Sequence, residues 1–226
     1  MESSYPSQCL LSSSYFGPVQ WYQKLHRYGL SWIERNDTYR KQTYRNRCII
    51  ATTNGLQTLT VPVARGESGL MRDVRISDHG NWRHLHWHAL LSAYSESPFF
   101  EYYADDLRPF FERKWDYLYD FNLEICRTVC TLLDLRPNLR PTSVYIPHSQ
   151  LADEAVAGSR AADLSQPVVA SAHDFRDVIA PKHPQADPDF TPRRYYQVYE
   201  RKHGFQPNLS VLDLLFNMGP ESIFYL

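Results

Sequence analysis

Ten consecutive residues, Tyr39 to Cys48, hold the densest set of chemically capable side chains in the sequence. Four cations (Arg40, Lys41, Arg45, Arg47) are interleaved with Tyr39, Tyr44, Gln42 and Asn46. The run passes directly into Cys48-Ile49-Ile50-Ala51, a short apolar segment closed by Asn54-Gly55, which reads as a buried strand. Arginine's planar fork grips phosphate or carboxylate through paired hydrogen bonds. Cations, amides and phenols at a strand mouth therefore suit an anion-handling site. The competing reading is a solvated surface whose arginines pair with Glu34 and Asp37.

A second cluster, Trp82-Arg83-His84-Leu85-His86-Trp87-His88, is dense in imidazole. At helical spacing His84 and His88 share a face, a geometry open to a metal, but no third ligand is evident and no metal is assigned. His86 falls on the opposite, apolar face with Leu85, Ala89 and Leu90. It is either a hydrogen-bonded core residue or an acid–base group. Cys48 has positive neighbours that could activate a thiol, which burial in a strand would oppose. No Gly-rich phosphate loop and no Gly-x-Ser-x-Gly elbow is present, so an anion would be held by side chains or a helix N-terminus. No cofactor is indicated. Further cations, Arg176 and Lys182, lie late in the chain, where a closing loop could carry them onto a ligand.

The elements that must position these groups read as α/β. Strands are expected over 9–11, 30–34, 48–51, 56–63, 74–76 and 143–146, the third and fourth joined by the Asn54-Gly55 hairpin signal. Val19, Tyr22 and Leu25 mark a first helix after Pro18. Asn81 can cap a second that begins at Trp82, and a long amphipathic stretch runs over 106–133. Ser210 and Asp213 give a capping-box-like start to a last helix over 211–216. Residues 149–192, rich in Ala, Ser, Asp and Pro, read as a surface excursion or lid. The expectation is one mixed α/β domain over 1–226, a central sheet flanked by helices.

Composition bounds the function classes. The chain has 226 residues, 43% hydrophobic and 22% charged, enough for one sizeable core. Its formal net charge of −1 argues against a general nucleic-acid binder. Four cysteines form no CxxC pair, and no apolar run is long enough to span a bilayer, so a reducing cytoplasmic setting is expected. Aromatics make up 14% and suit both cores and small-molecule sites.

Several longer words fall in a familiar order: Tyr15-Phe16-Gly17-Pro18-Val19-Gln20-Trp21, then the segment from Lys41 to Cys48, then Ser97-Pro98-Phe99-Phe100. Tyr196-Gln197-Val198-Tyr199, Asn208-Leu209-Ser210 and Asp213-Leu214-Leu215-Phe216-Asn217 follow. The chain resembles the WbqC-like protein family, in the branch common in Bacteroidetes, over about residues 9 to 226. Members occur in gene clusters for O-antigen and other surface polysaccharides, and a glycine-transferase role has been suggested for one. The resemblance implies an amino-acyl, glycyl or acyl transferase acting on an activated sugar or glycan intermediate. The alternative is a non-catalytic ligand-binding or assembly protein of the same pathway. Other branches carry a His-Gln-Pro-Asn-Tyr-like opening where this chain has Leu11-Ser12-Ser13-Ser14-Tyr15.

On the transferase reading the partner is an anionic small molecule, a nucleotide-sugar or other phosphate-activated group. Lys24, Arg45 and Arg47 would hold the anion, with Arg176 and Lys182 closing over it. Asn46 and Asn208 would orient the ligand, Tyr15, Trp87 or Tyr94 would stack a ring, and His86 would move the proton. The reading requires these residues to converge on one pocket.

Overall fold

The computed structural model describes residues 7–64, 66, 68–148 and 172–226. The first strand, β1 (Gln8–Ser12), passes through helix α1 (Val19–Arg27) to β2 (Leu30–Glu34), which lies parallel to it with Gln8 opposite Leu30. Cys9, Leu10 and Leu11 are all buried, as expected of a parallel strand covered on both faces.

The chain then leaves this sheet. β3 (Arg47–Thr52) and β4 (Gly55–Thr60) form a separate antiparallel hairpin. Gly55 sits at φ 105°, a conformation that Cβ-bearing residues avoid, so the Asn-Gly signal is a true turn determinant. The strand expected over 56–63 divides in two. Pro62 has no N–H for a ladder, and beyond it β5 (Val63–Ala64) pairs with β6 (Arg75–Ile76) instead.

Helix α2 (Trp82–Tyr94) starts where expected, but Asn81 makes no side-chain cap bond and adopts left-handed geometry. The stretch expected as one helix over 106–133 is instead α3 (Phe100–Leu107), α4 (Pro109–Glu112) and α5 (Leu118–Leu132). Pro109 opens α4 at its first position, where it lacks only a surplus donor. An extended Arg113 ends α4, and extended Tyr117 leads into α5.

β7 (Leu139–Pro141) pairs parallel with β2, whereas 143–146 forms no strand. Of the expected excursion, 149–171 lies outside the described residues. Its continuation contributes β8 (Ala172–Asp174), paired parallel with β1. The central sheet is thus β7-β2-β1-β8, parallel throughout, and the hairpin and the β5–β6 pair stand apart from it. The class is mixed α/β as read, with a smaller and purer parallel sheet.

After a short α6 (Glu200–His203), α7 (Val211–Met218) ends the regular structure. Ser210 caps α7 by accepting from the Leu212 N–H, and every residue from 211 to 217 is buried. The main core is largely aromatic: Tyr15 stacks on Phe121 at 5.8 Å, Phe16 on Phe111 at 6.0 Å, and Phe100 meets Phe216 edge-on at 4.9 Å. Most of the aromatic composition is therefore spent on packing.

Candidate functional site

In an open parallel sheet, ligands bind beyond the carboxyl ends of the strands, where neighbouring connections leave in opposite directions. Here that point lies between β1 and β8, because β1 continues to β2 on its other side. A cleft of about 520 Å³ opens there. Its walls are residues 12–14 at the end of β1, 175–177 just past β8, the 40–45 turn, and the segment that includes Lys182, His183 and Gln185.

Local contacts fix these walls. The Tyr44 carbonyl accepts from the Tyr15 N–H at 2.9 Å, which fastens the 40–45 turn to the end of β1. Arg40 meets Asp177 at 2.5 Å, and Lys182 Nζ donates to Gln42 Oε1 at 2.8 Å, so the two loops touch across the opening. The N-terminus of α1 is not available to an anion. The Leu209 carbonyl accepts from the Val19 N–H, and Asn208 Oδ1 accepts from the Gln20 N–H at 2.9 Å.

The residues named from sequence divide into four groups by place. Arg45, Arg176 and Lys182 line the cleft. Arg45 is buried and ion-paired with Asp37, the partner that the solvated-surface reading names. Arg176 is buried too, locked between Asp174 at 2.7 Å and Glu34 at 3.3 Å. It is part of the cleft floor rather than a closing arm. Lys182, in contrast, is exposed and among the described residues meets only a neutral amide.

Lys24 is a fully buried residue of α1, 2.7 Å from Asp187 and 4.4 Å above the Phe175 ring. Burial works against the Asp187 carboxylate, but Lys24 and Gln20 hold it below the usual carboxylate range. Asn208 also serves structure, its Nδ2 donating to Gln20 Oε1 at 3.0 Å. Asn46 and Arg47 do not face the cleft. They line a separate hollow on the other side of Lys41 and Gln42.

Tyr15 and His86 form a sealed pair, with the Tyr15 hydroxyl 2.9 Å from His86 Nδ1. Burial drives the imidazole pKa down to about 4 and the phenol well above its usual value. The phenol therefore donates and His86 is a neutral acceptor at pH 7. Neither residue lines the cleft, so His86 is in no position to exchange protons with a molecule there.

Tyr94 is likewise buried. Its hydroxyl donates to Asp213 Oδ1 at 2.9 Å, and Asp213 Oδ2 accepts from Tyr195 at 2.7 Å and Gln197 at 2.9 Å. Burial lifts the Asp213 carboxyl to about 6 despite these three donors. Trp87 packs on Phe111 at 5.5 Å and lines a wide groove with His84 and His88. The His84 and His88 rings lie 4.1 Å apart, and no group of three or more metal-ligating side chains occurs among the described residues. Cys48 is buried, and burial raises its thiol pKa, so it is not an activated nucleophile.

Sequence reasoning missed Asp177, His183 and the three serines of the cleft wall. His148, which does not line the cleft, lies with Nδ1 2.8 Å from Asp174 and Nε2 3.3 Å from Asp177. The available signals are the polar run from His173 to Asp177 and the Pro181-Lys182-His183 cluster, neither of which hints that 172–174 form a strand beside β1.

A mixed α/β domain with a cleft at the switch point of a parallel sheet is the class that this fold and site define. The chain belongs to the WbqC-like protein family, which matches residues 13–225. It is 32% identical over 202 residues to the "Uncharacterized protein Rv1507c" of Mycobacterium tuberculosis, with 83% of each chain covered. No solved structure matches it. Among the described residues no helix is long and apolar enough to cross a membrane.

Proposed function

We propose that the chain binds an anionic small molecule, of the nucleotide-sugar or phosphate-activated class, in the cleft beyond β1 and β8. The observation that carries this reading is the charge left over there. Arg40, Arg45 and Arg176 are matched by Asp177, Asp37, Asp174 and Glu34, but Lys41 and Lys182 line the cleft without a carboxylate partner among the described residues. Two unneutralised ammonium groups at a switch-point crevice favour an incoming anion.

The family suggests that the bound molecule is an activated sugar or glycan intermediate of surface-polysaccharide biosynthesis, to which an amino-acyl, glycyl or acyl group is transferred in the cytoplasm. In that reaction the proton is handled by a group lining the cleft, Asp177 or His183, and His86 only supports the core. The burial of His86 favours a second reading, a non-catalytic binding or assembly protein of the same pathway.

A thermal-shift screen against nucleotides, nucleotide-sugars and aminoacyl-adenylate mimics tests the binding. A ligand at a hundredfold excess over its dissociation constant adds about 2.7 kcal/mol. The expected hit is a nucleotide-sugar whose shift disappears in Lys182→Met. No shift with any anionic compound overturns the proposal. Loss of turnover in Asp177→Asn or His183→Ala with ligand binding retained would separate the transferase from the binding protein.

A further inference from the structure

The hollow on the far side of the Lys41–Gln42 turn has a volume of about 480 Å³ and is lined by Tyr39, Lys41, Gln42, Asn46, Arg47 and Val63. We propose that it is a separate binding site for a phosphorylated sugar. Among the described residues no carboxylate lines it, whereas each arginine of the neighbouring cleft has one. The side chains of Arg47 and Lys41 make neither a hydrogen bond nor an ion pair among the described residues.

Arg47 is half-buried at the first position of β3, and its Nε lies out of water with no hydrogen-bond partner. Asn46 is 5% exposed and donates its Nδ2 to the Val61 carbonyl at 2.8 Å, which fixes which way the amide points. Its Oδ1 is left as a buried acceptor without a donor.

Buried polar groups are usually satisfied, and what sets these two apart from other unpaired atoms is that both belong to residues lining one hollow, which points to a complementary ligand. The guanidinium and the ammonium call for an oxyanion, and arginine's fork suits one with two accepting oxygens. The Asn46 oxygen calls for a donor, which a phosphate dianion cannot supply and a sugar hydroxyl can. Phosphate and hydroxyl on one small molecule describe a sugar phosphate. The site is independent of the cleft, although Lys41 and Gln42 contribute to both.

Isothermal titration of glucose 1-phosphate into the full chain provides the test, with inorganic phosphate and glucose as the partial probes. Glucose 1-phosphate should bind at least about tenfold more tightly than phosphate, in proportion to one added hydrogen bond. Arg47→Met should weaken it at least tenfold, and Arg47→Lys, which keeps the charge and loses the fork, by less. Lys182→Met, which touches only the cleft, should stay within twofold of the wild type. If Arg47→Met does not fold, the exposed Lys41→Met must show the loss.

Unchanged affinity in Arg47→Met, equal affinity for phosphate and glucose 1-phosphate, or no binding by the wild type overturns the hollow. Loss in Lys182→Met but not in Arg47→Met would assign the ligand to the cleft and overturn the hollow alone. Failure of the nucleotide-sugar screen with this titration intact would do the reverse.

Discussion

Tyr15 and His86, 71 positions apart in sequence, are joined by a single 2.9 Å hydrogen bond inside the aromatic core. That bond ties the segment after β1 to the middle of α2. It turns the most conspicuous candidate acid–base residue into a structural acceptor. Tyr15→Phe leaves His86 Nδ1 without its donor, and an unsatisfied buried group costs about 1–3 kcal/mol. Chemical denaturation should show a loss of that size, while the affinity of any ligand in the cleft stays unchanged.

The pH dependence of stability carries two opposing signatures. His86 has a folded pKa of about 4, below the ordinary value of about 6.5, so the unfolded chain binds its proton first. Its contribution is complete above about pH 6.5 and is lost as pH falls toward 4, up to about 3 kcal/mol. Asp213 has a folded pKa of about 6, above the ordinary carboxylate value of about 3.9, so its contribution is present below pH 3.9 and is lost as pH rises to 6. The two slopes offset each other between about pH 4 and 6. In Asp213→Asn only the histidine slope remains, so urea unfolding of the variant should show stability climbing with pH across that window, more steeply than in the wild type.

How much of this was legible in the sequence depends on the range of the interactions involved. Local signals hold at Pro18 before α1, Gly55 in the hairpin and Ser210 as a cap, each acting within a few residues, but not at Asn81, which makes no cap bond. Helical spacing puts His86 against the core with Leu90, and His84 and His88 outside, but Leu85, expected on the same apolar face, is 59% exposed. What was hidden is set by distant partners. β8 is three residues long and recognisable only by its register with β1. Arg45 and Arg47 look equivalent in sequence, yet Asp37 neutralises one while the other lines a hollow that has no carboxylate among the described residues. Arg176 reads as a loop cation until Glu34, 142 positions earlier, is seen to hold it.

The Glu34–Arg176 pair anchors the cleft floor. Glu34 is completely buried and also accepts from Thr142 Oγ1 at 2.6 Å and the Asn36 N–H at 2.8 Å. Removing one partner of a buried pair leaves an uncompensated charge. Arg176→Met should therefore cost about 3–5 kcal/mol in denaturant unfolding. Arg40→Met, which breaks an exposed pair, should cost no more than about 1 kcal/mol.

The cysteines provide a check on the core. Cys9, Cys48, Cys126 and Cys130 are all buried and unpaired by disulfide. Thiol reactivity requires an accessible thiolate. A colorimetric thiol reagent should label none of the four in the native protein within minutes and all four in denaturant. Rapid native labelling of Cys48 would restore it as a candidate nucleophile.

The most direct test of the cleft is a calorimetric titration of the nucleotide-sugar selected by thermal shift into the wild type and the Lys41→Met/Lys182→Met double variant, with Arg47→Met, which changes the hollow alone, as the control. Both side chains are exposed, so the variant should melt within about 1 °C of the wild type, as surface changes usually do. The account predicts saturable binding by the wild type and at least a hundredfold loss in the variant, about 2.7 kcal/mol. Equal affinity in the two proteins would contradict it and move the anion away from the ends of β1 and β8.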